Sequence, residues 1–235
     1  MKKKNSILIY PLLIMGLVLF LTYSCKKKDN TPTPDPTPTT VTDIDGNVYN
    51  TVKIGTQTWM KENLKVTHYR NGIGIPVVTD GPTWAGLSTG AYCDYNNTPS
   101  NSIIYGKLYN WYSINDSRNI APIGWHVPTD AEWTALDNYL GGTSVADKLK
   151  ETGTSHWSSP NTGATNESGF TALPGGTRHS DGTFNDIRDY GHWWSSTEYG
   201  PSVAWGREMN YNSSIFSSNF YYSKDAGFSV RCIKD

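Results

Sequence analysis

The chain has little charge, little cysteine and few histidines. Charged residues make up 17% of its 235 residues, with three cysteines and five histidines. No HExxH or CxxC pattern occurs, and no nucleophile elbow is read, which argues against zinc-protease, dithiol and serine-hydrolase chemistry. His68, His126, His156, His179 and His192 are scattered without ligand spacing, so no metal is expected. A basic surplus is also missing. Residues 1–24 hold three lysines and no acid, leaving 17 basic against 21 acidic side chains in the remainder. That balance cannot supply a stripe that neutralises phosphates, so no nucleic-acid partner is expected.

Apolar length is confined to the start. Lys2-Lys3-Lys4 precedes the apolar run Ile7–Leu21, broken only by Pro11 and Gly16, and Ser24-Cys25 follows. Fifteen residues are short for a membrane span and fit a signal h-region. Residues 1–24 therefore read as a lipoprotein signal peptide with Cys25 as the lipidated residue; a non-cleaved anchor is the alternative. Either way the rest is exported and tethered to a membrane. Residues 25–40 continue with the charged Lys26–Asp29 and the Thr/Pro tract Asn30–Thr40. Alternating prolines favour polyproline II, a semi-rigid stalk that at ~3.1 Å per residue reaches about 30 Å. After Cys25 only Cys93 and Cys232 remain. In an oxidising compartment such a pair is more often a disulfide than two reactive thiols, with two free thiols as the alternative.

What is abundant is aromatic: nine tryptophans and fifteen tyrosines. Large rings with polar handles and few charges predict one compact domain over residues 41–235. Its best-specified element is Gly124–Gly142. Thr129 and Glu132 have capping-box spacing, Asp130 and Glu132 favour the helix dipole, and Trp133, Leu136 and Leu140 share a face. Gly141-Gly142 supplies the stop. Ile104, Leu108, Trp111 and Tyr112 recur at helical spacing and predict a second helix. Ser144 with Asp147 predicts a third over Val145–Glu151, stopping at Gly153. Short β-rich runs at Val41–Ile44, Val48-Tyr49, Val52–Gly55 and Gln57–Trp59 predict opening hairpins. Further strands are expected at Phe170–Leu173 and around Tyr190–Ser196, Ala204–Tyr211, Phe216–Tyr222 and Phe228–Ile233, with loops over Asn71–Asn101 and Ser155–Gly182. Asp43-x-Asp45-Gly46-Asn47 has a calcium-loop flavour but lacks the distal Glu, so a plain turn is expected. Helices in the middle and strands at both ends make the fold class α+β.

Several stretches carry a family resemblance: Thr58–Leu64 (TWMKENL), Tyr105–Tyr112 (YGKLYNWY), Gly124–Trp133 (GWHVPTDAEW), Ala172–Gly176 (ALPGG), Trp193–Glu198 (WWSSTE) and Gly227–Cys232 (GFSVRC). In this order, from about Val41 to Asp235, they resemble the Fibrobacter succinogenes major paralogous domain family. GWHVPTDAEW is also similar to a segment of formylglycine-generating-enzyme-type, C-type-lectin-like domains. The resemblance implies a C-type-lectin-like domain with two to three short helices, antiparallel strands and long loops on one side. It implies that the first and last strands pair, setting Val48–Ile54 beside Phe228–Ile233, and that Trp193 or Trp194 is buried. Cys232 would then lie in the closing strand, where it could bond to Cys93. The oxidase relatives need a copper-binding cysteine pair, and Cys232 has no such neighbour. The calcium signatures of sugar-binding lectins are missing too: Trp194-Ser195-Ser196 stands near where Trp-Asn-Asp would be.

Chemistry is thus expected at a surface rather than at a catalytic centre. Asp181, Asp186 and Asp189 lie in loops near Arg178 and Arg188 and read as solvated ion pairs. In Asn210–Ser223, eleven of fourteen residues are Asn, Ser or Tyr, the composition of antibody paratopes; a twisted hairpin with a wet outer face is the plainer alternative. The candidate ligand-binding residues are Trp205, Arg207, Asn210, Tyr211, Asn212, Asn219, Tyr221 and Tyr222, with no cofactor. The expected function is non-catalytic recognition or adhesion at the cell envelope, with a glycan or protein ligand. An accessory factor or enzyme of polysaccharide processing and a purely structural envelope protein are the alternatives.

Overall fold

The Gln57–Trp59 run and the segments around it build the first of two five-stranded sheets. The computed structural model describes residues 39–235, apart from the side chain of Asn219; the expected signal peptide, the expected lipidation at Cys25 and nearly all of the expected stalk lie outside the described residues. Strand β1 (Thr40–Thr42) pairs with β2 (Val48–Ile54), which turns into β3 (Gln57–Met60). The chain then runs through α1 (Gly81–Ala85), β4 (Tyr92–Cys93), a 3₁₀ turn (Tyr95–Asn97), α2 (Pro99–Tyr105), β5 (Leu108–Tyr109), α3 (Trp111–Ile114) and β6 (Trp125–His126). Helices α4 (Asp130–Leu140) and α5 (Val145–Leu149) follow, then β7 (Gly175–Arg178), β8 (Phe184–Ile187), β9 (Tyr190–Gly200), β10 (Val203–Asn210), β11 (Ser217–Ser223) and β12 (Ile233–Lys234). The sheet orders are β1-β2-β3-β12-β6 and β11-β10-β9-β7-β8, with β4-β5 as a small ladder. Pairing is antiparallel except between β7 and β9. The fold is α+β and predominantly sheet.

Helix α4 forms where its signals place it. The Thr129 hydroxyl accepts from the Glu132 amide, Glu132 accepts from the Thr129 amide, and Gly141 ends the helix in the left-handed region. Trp133 and Leu136 are buried. The expected helix from Ile104 to Tyr112 is instead split into α2, β5 and α3. Gly106 breaks it at φ 78°, and a Cβ there would stand 2.6 Å from the Asn63 Cβ, so helical geometry cannot continue past it. Ser144 sits in the left-handed region and makes no side-chain cap, and α5 ends at Leu149 rather than Glu151 because Lys150 turns extended and bridges to Ala172. Five α-helices occur among the described residues, more than the two or three expected, because the second expected helix is split and the 71–101 loop adds α1.

The strands differ as well. Phe170–Leu173 is a buried crossing with one bridge, Lys150 to Ala172. The stretch read as loop contributes β7, whose glycines mask it. The closing segment is regular only at β12, and Ile233 pairs with Trp59 of β3 and His126 of β6. Strand β3 thus separates the closing strand from β2, correcting the expected pairing of first and last strands.

Adjacent residues of a strand face opposite sides, and β9 uses this to join two cores. Trp194 enters a cluster with Tyr49, Met60, Trp111, Phe228 and Val230. Trp193 enters another with Trp59, Trp133, Leu149, Phe170 and Met209. The cysteines occupy different clusters: Cys93 lies with Trp84 and Leu108, Cys232 with Tyr49 and Val230. Both thiols are free and buried, which corrects the expected disulfide. Burial pushes the Cys93 thiol up to about 12, and raises that of Cys232 further; neither is poised as a nucleophile.

Candidate ligand-binding surface

The motif residues build the interior. Asn63 is a hub between the sheets: its side-chain oxygen accepts from the Trp193 indole at 2.9 Å and from Arg231 Nη2 at 2.9 Å. Its amide donates to Tyr105 O at 2.8 Å and to the Ser229 hydroxyl at 3.2 Å. Arg231 is wholly buried and reaches Phe170 O at 2.5 Å. Burial pulls its pKa down to about 9, a measure of how costly an unpaired cation is there. Arg178, also wholly buried, donates to Val78, Thr79 and Gly182 carbonyls and lies over Trp84. The solvated pair expected between Arg178 and the aspartates after it is therefore not formed; the guanidinium clips loop backbone instead. Lys150 does the same for Thr162, Asn210 and Ser213.

Two motifs interlock beside this interior. Between the Glu198–Ala204 and Trp194–Gly206 pairs, β9 advances four residues where β10 advances two. The bulged residues leave the ladder for the start of α4. Ser196 N donates to Pro128 O at 2.8 Å, and the Thr197 hydroxyl accepts from Asp130 N at 2.9 Å. The Trp111 and Trp133 indoles donate to Ser195 O and Trp194 O.

The sequence-derived site residues divide into three groups. Arg207 and Tyr222 turn inward. Arg207 is wholly buried, paired with Asp130 at 2.5 Å and bonded to the Thr134 hydroxyl; Tyr222 donates to Glu208 at 2.8 Å and packs edge-on against Trp194 and Phe228. These two are framework, because α4 covers the one and the core takes the other. Asn210, Tyr211 and Asn212 lie at the far end of β10, where Asn210 caps the turn by accepting from the Asn212 amide. The side chain of Asn219 falls outside those described. Trp205 and Tyr221 remain, opposite each other on β10 and β11.

These two meet Tyr199, which the sequence reading missed. Tyr199 and Tyr221 stack at 4.3 Å with 9° between planes, and Trp205 stands edge-on to Tyr199 at 4.8 Å. Tyr199 and Tyr221 are 50% and 52% exposed, and Trp205 is half-buried. All eight other tryptophans are buried. Seven of those eight indoles donate to protein acceptors; the indole N–H of Trp205 has no protein partner among the described residues. Three partly exposed rings on adjacent strands of one sheet can stack on sugar or side-chain planes. A fourth large apolar ring, Phe220, is 43% exposed on the other side of β11.

Other polar groups are already partnered. Asp43 accepts from Asp45 N, Asn47 N and the Tyr49 hydroxyl, and Asp45 from Thr67 and His68, so this segment is a turn held by protein donors. His126 joins Glu132 at 2.8 Å to Asp235 at 2.6 Å, and His156 pairs with Glu151. His192 is buried between Glu208 and Asp186, 3.6 and 3.9 Å from its ring nitrogens. Among the described residues no cluster of three or more His, Cys, Asp or Glu could hold a metal ion. Gly86-Leu87-Ser88-Thr89-Gly90 does spell GxSxG, contrary to the sequence reading. It follows α1 and precedes β4, the reverse of the strand–turn–helix order an elbow needs, so Ser88 is not strained outward as a nucleophile.

The family model for the Fibrobacter succinogenes major domain matches residues 52–234. No curated protein and no solved structure matches the chain.

Proposed function

The chain belongs to the Fibrobacter succinogenes major domain family, and from that membership and the surface it holds up we propose that it is an envelope-tethered recognition module. It binds rather than catalyses. The ligand is a glycan, gripped by ring stacking on Tyr199, Trp205 and Tyr221. The observation that carries this reading is that Trp205 alone among nine tryptophans stays partly exposed, inside a cluster of exposed rings. Leaving such rings in water forgoes burial of roughly 1.5–3 kcal/mol for a large side chain, and contiguous exposed apolar patches mark interaction sites. The same proposal includes a lectin-like arrangement and export as a lipoprotein. The first draws support from the α+β organisation with long loops, the second from the basic start, the short apolar run and Cys25.

A glycan array probed with the full-length chain in detergent, with and without chelator, tests the reading. The expected outcome is selective, chelator-insensitive binding that Trp205→Ala and Tyr221→Ala abolish without lowering the melting temperature by more than a few degrees. Binding unchanged in both variants would remove the aromatic face from the account. Binding lost with chelator would restore a calcium-dependent mode.

A further inference from the structure

A second cleft, of about 370 Å³, opens where the loop before β4 meets the residues after α3. That volume suits a small ligand, since such sites occupy ~300–1,000 Å³. Its wall includes Ser88, Thr89, Tyr112, Asn115, Asp116 and Arg118. Arg118 is immobilised on two sides. Its Nε and Nη2 donate to the two Asp116 oxygens at 2.8 and 2.6 Å, and its guanidinium lies 4.0 Å from the ring centroid of Tyr69. The hydroxyls of Ser88 and Thr89 have no protein partner among the described residues. Behind the wall, Tyr69 is wholly buried with its hydroxyl unbonded. That hydroxyl ends against Gly90, where a Cβ would stand 2.1 Å from it, so only glycine lets the two segments close on each other.

The chemistry of the cleft selects its occupant. The Arg118–Asp116 pair is neutral overall, so phosphate or carboxylate would meet the Asp116 oxygens as like charges. A purely apolar ligand would strand the free donors. An N–H donor beside a carboxylate acceptor matches two neighbouring hydroxyls, one accepting and one donating. Tyr112 supplies a ring to one side.

We propose that this cleft binds a neutral pyranose through a vicinal diol, held by Arg118 and Asp116 with Asn115 and Tyr112 alongside. The proposal deepens the recognition reading, yet it uses none of the residues of the aromatic face, so either can fail alone.

The test is saturation-transfer NMR and calorimetry on the full-length chain in detergent, with methyl mannoside, methyl glucoside, their 3-deoxy counterparts, which lack every ring vicinal diol, and inorganic phosphate as probes. At least one methyl glycoside should bind, and its 3-deoxy counterpart should bind at least tenfold more weakly. Arg118→Lys, which keeps the charge but loses the planar fork, should cost tenfold or more with unchanged melting, and Asp116→Asn should do the same. Tyr112→Ala should also weaken binding, which keeps the test decisive if Asp116→Asn is unstable. Repeated in the Tyr221→Ala background, which removes a ring of the aromatic face, Arg118→Lys should cost the same factor, so the two surfaces are read separately. Failure of both glycosides to bind, preference for phosphate, or indifference to Arg118→Lys in either background would each overturn the proposal.

Discussion

Trp193 and Trp205 lie on neighbouring strands of one sheet and meet opposite fates. Trp193 is buried, donates to Asn63 and lies near the buried guanidinium of Arg231. Trp205 is half-exposed, touches two exposed tyrosines and keeps its indole N–H free of protein partners among the described residues. Around the first, buried polar groups find protein partners, with the Asn63 oxygen shared by Trp193 and Arg231. Around the second, aromatic area is left for something else to cover. The difference teaches where to look for function in this fold: the residues that carry the family resemblance maintain the interior, and the rings displayed beyond it are where the proposed recognition would act.

The sharpest way to break that contrast is Asn63→Leu. It removes the acceptor shared by Trp193 and Arg231 and leaves a buried cation short of a partner, which should cost about 3–5 kcal/mol. Urea denaturation measures it, and a loss under about 1 kcal/mol would mean the hub is not what ties the sheets together. On the outer face the same experiment should give a much smaller number. Tyr199→Ala or Tyr221→Ala removes exposed rings and should change stability by no more than about 1 kcal/mol. A larger loss would make the cluster part of the framework.

The smallest effect concerns His126, which joins the first turn of α4 to Asp235. Burial lowers its pKa, but the hydrogen bonds and charges of Asp235 and Glu132 outweigh this and raise it. A raised folded value means stabilisation that is complete below the ordinary histidine range near 6.5 and fades as pH rises through the folded value. Burial opposes the partner shift at Glu132, whose carboxyl is nevertheless held low by Thr129 and His126, so its share persists until strong acid. With a third of the His126 side chain exposed, the effect should stay below about 1 kcal/mol. Between pH 6 and 8.5 the native chain should lose more thermal stability than His126→Gln; parallel curves would show the bridge to be idle.

Much of the fold was legible because it is local. The caps of α4 lie within a dozen residues of each other, and the opening hairpins alternate in short range. The break at Gly106 was not legible, since it depends on Asn63, forty residues earlier in the chain. Nor was β7, whose Gly-Gly start masks a strand paired to β8 and β9. Of the candidate residues, Trp205 and Tyr221 stand at the surface as composition suggests, while Arg207 and Tyr222 turn inward, because a polar head gives no hint that a helix or core will cover it. Tyr199 was missed for a geometric reason. The bulge that sends Ser196 and Thr197 to α4 changes which β9 residues face β10, and a local pattern of alternation carries no record of it.

By itself, then, the sequence determined the family, the α+β class, the boundaries of α4 and the aromatic supply from which both core and surface are drawn. Only the tertiary structure decided which rings stay in the open, which cations are sealed against carbonyls, and that Cys93 and Cys232 lie apart in separate cores. The physical reason is that burial and partnering are set by contacts between distant segments. Composition provides the groups, and packing decides which of them water can still reach.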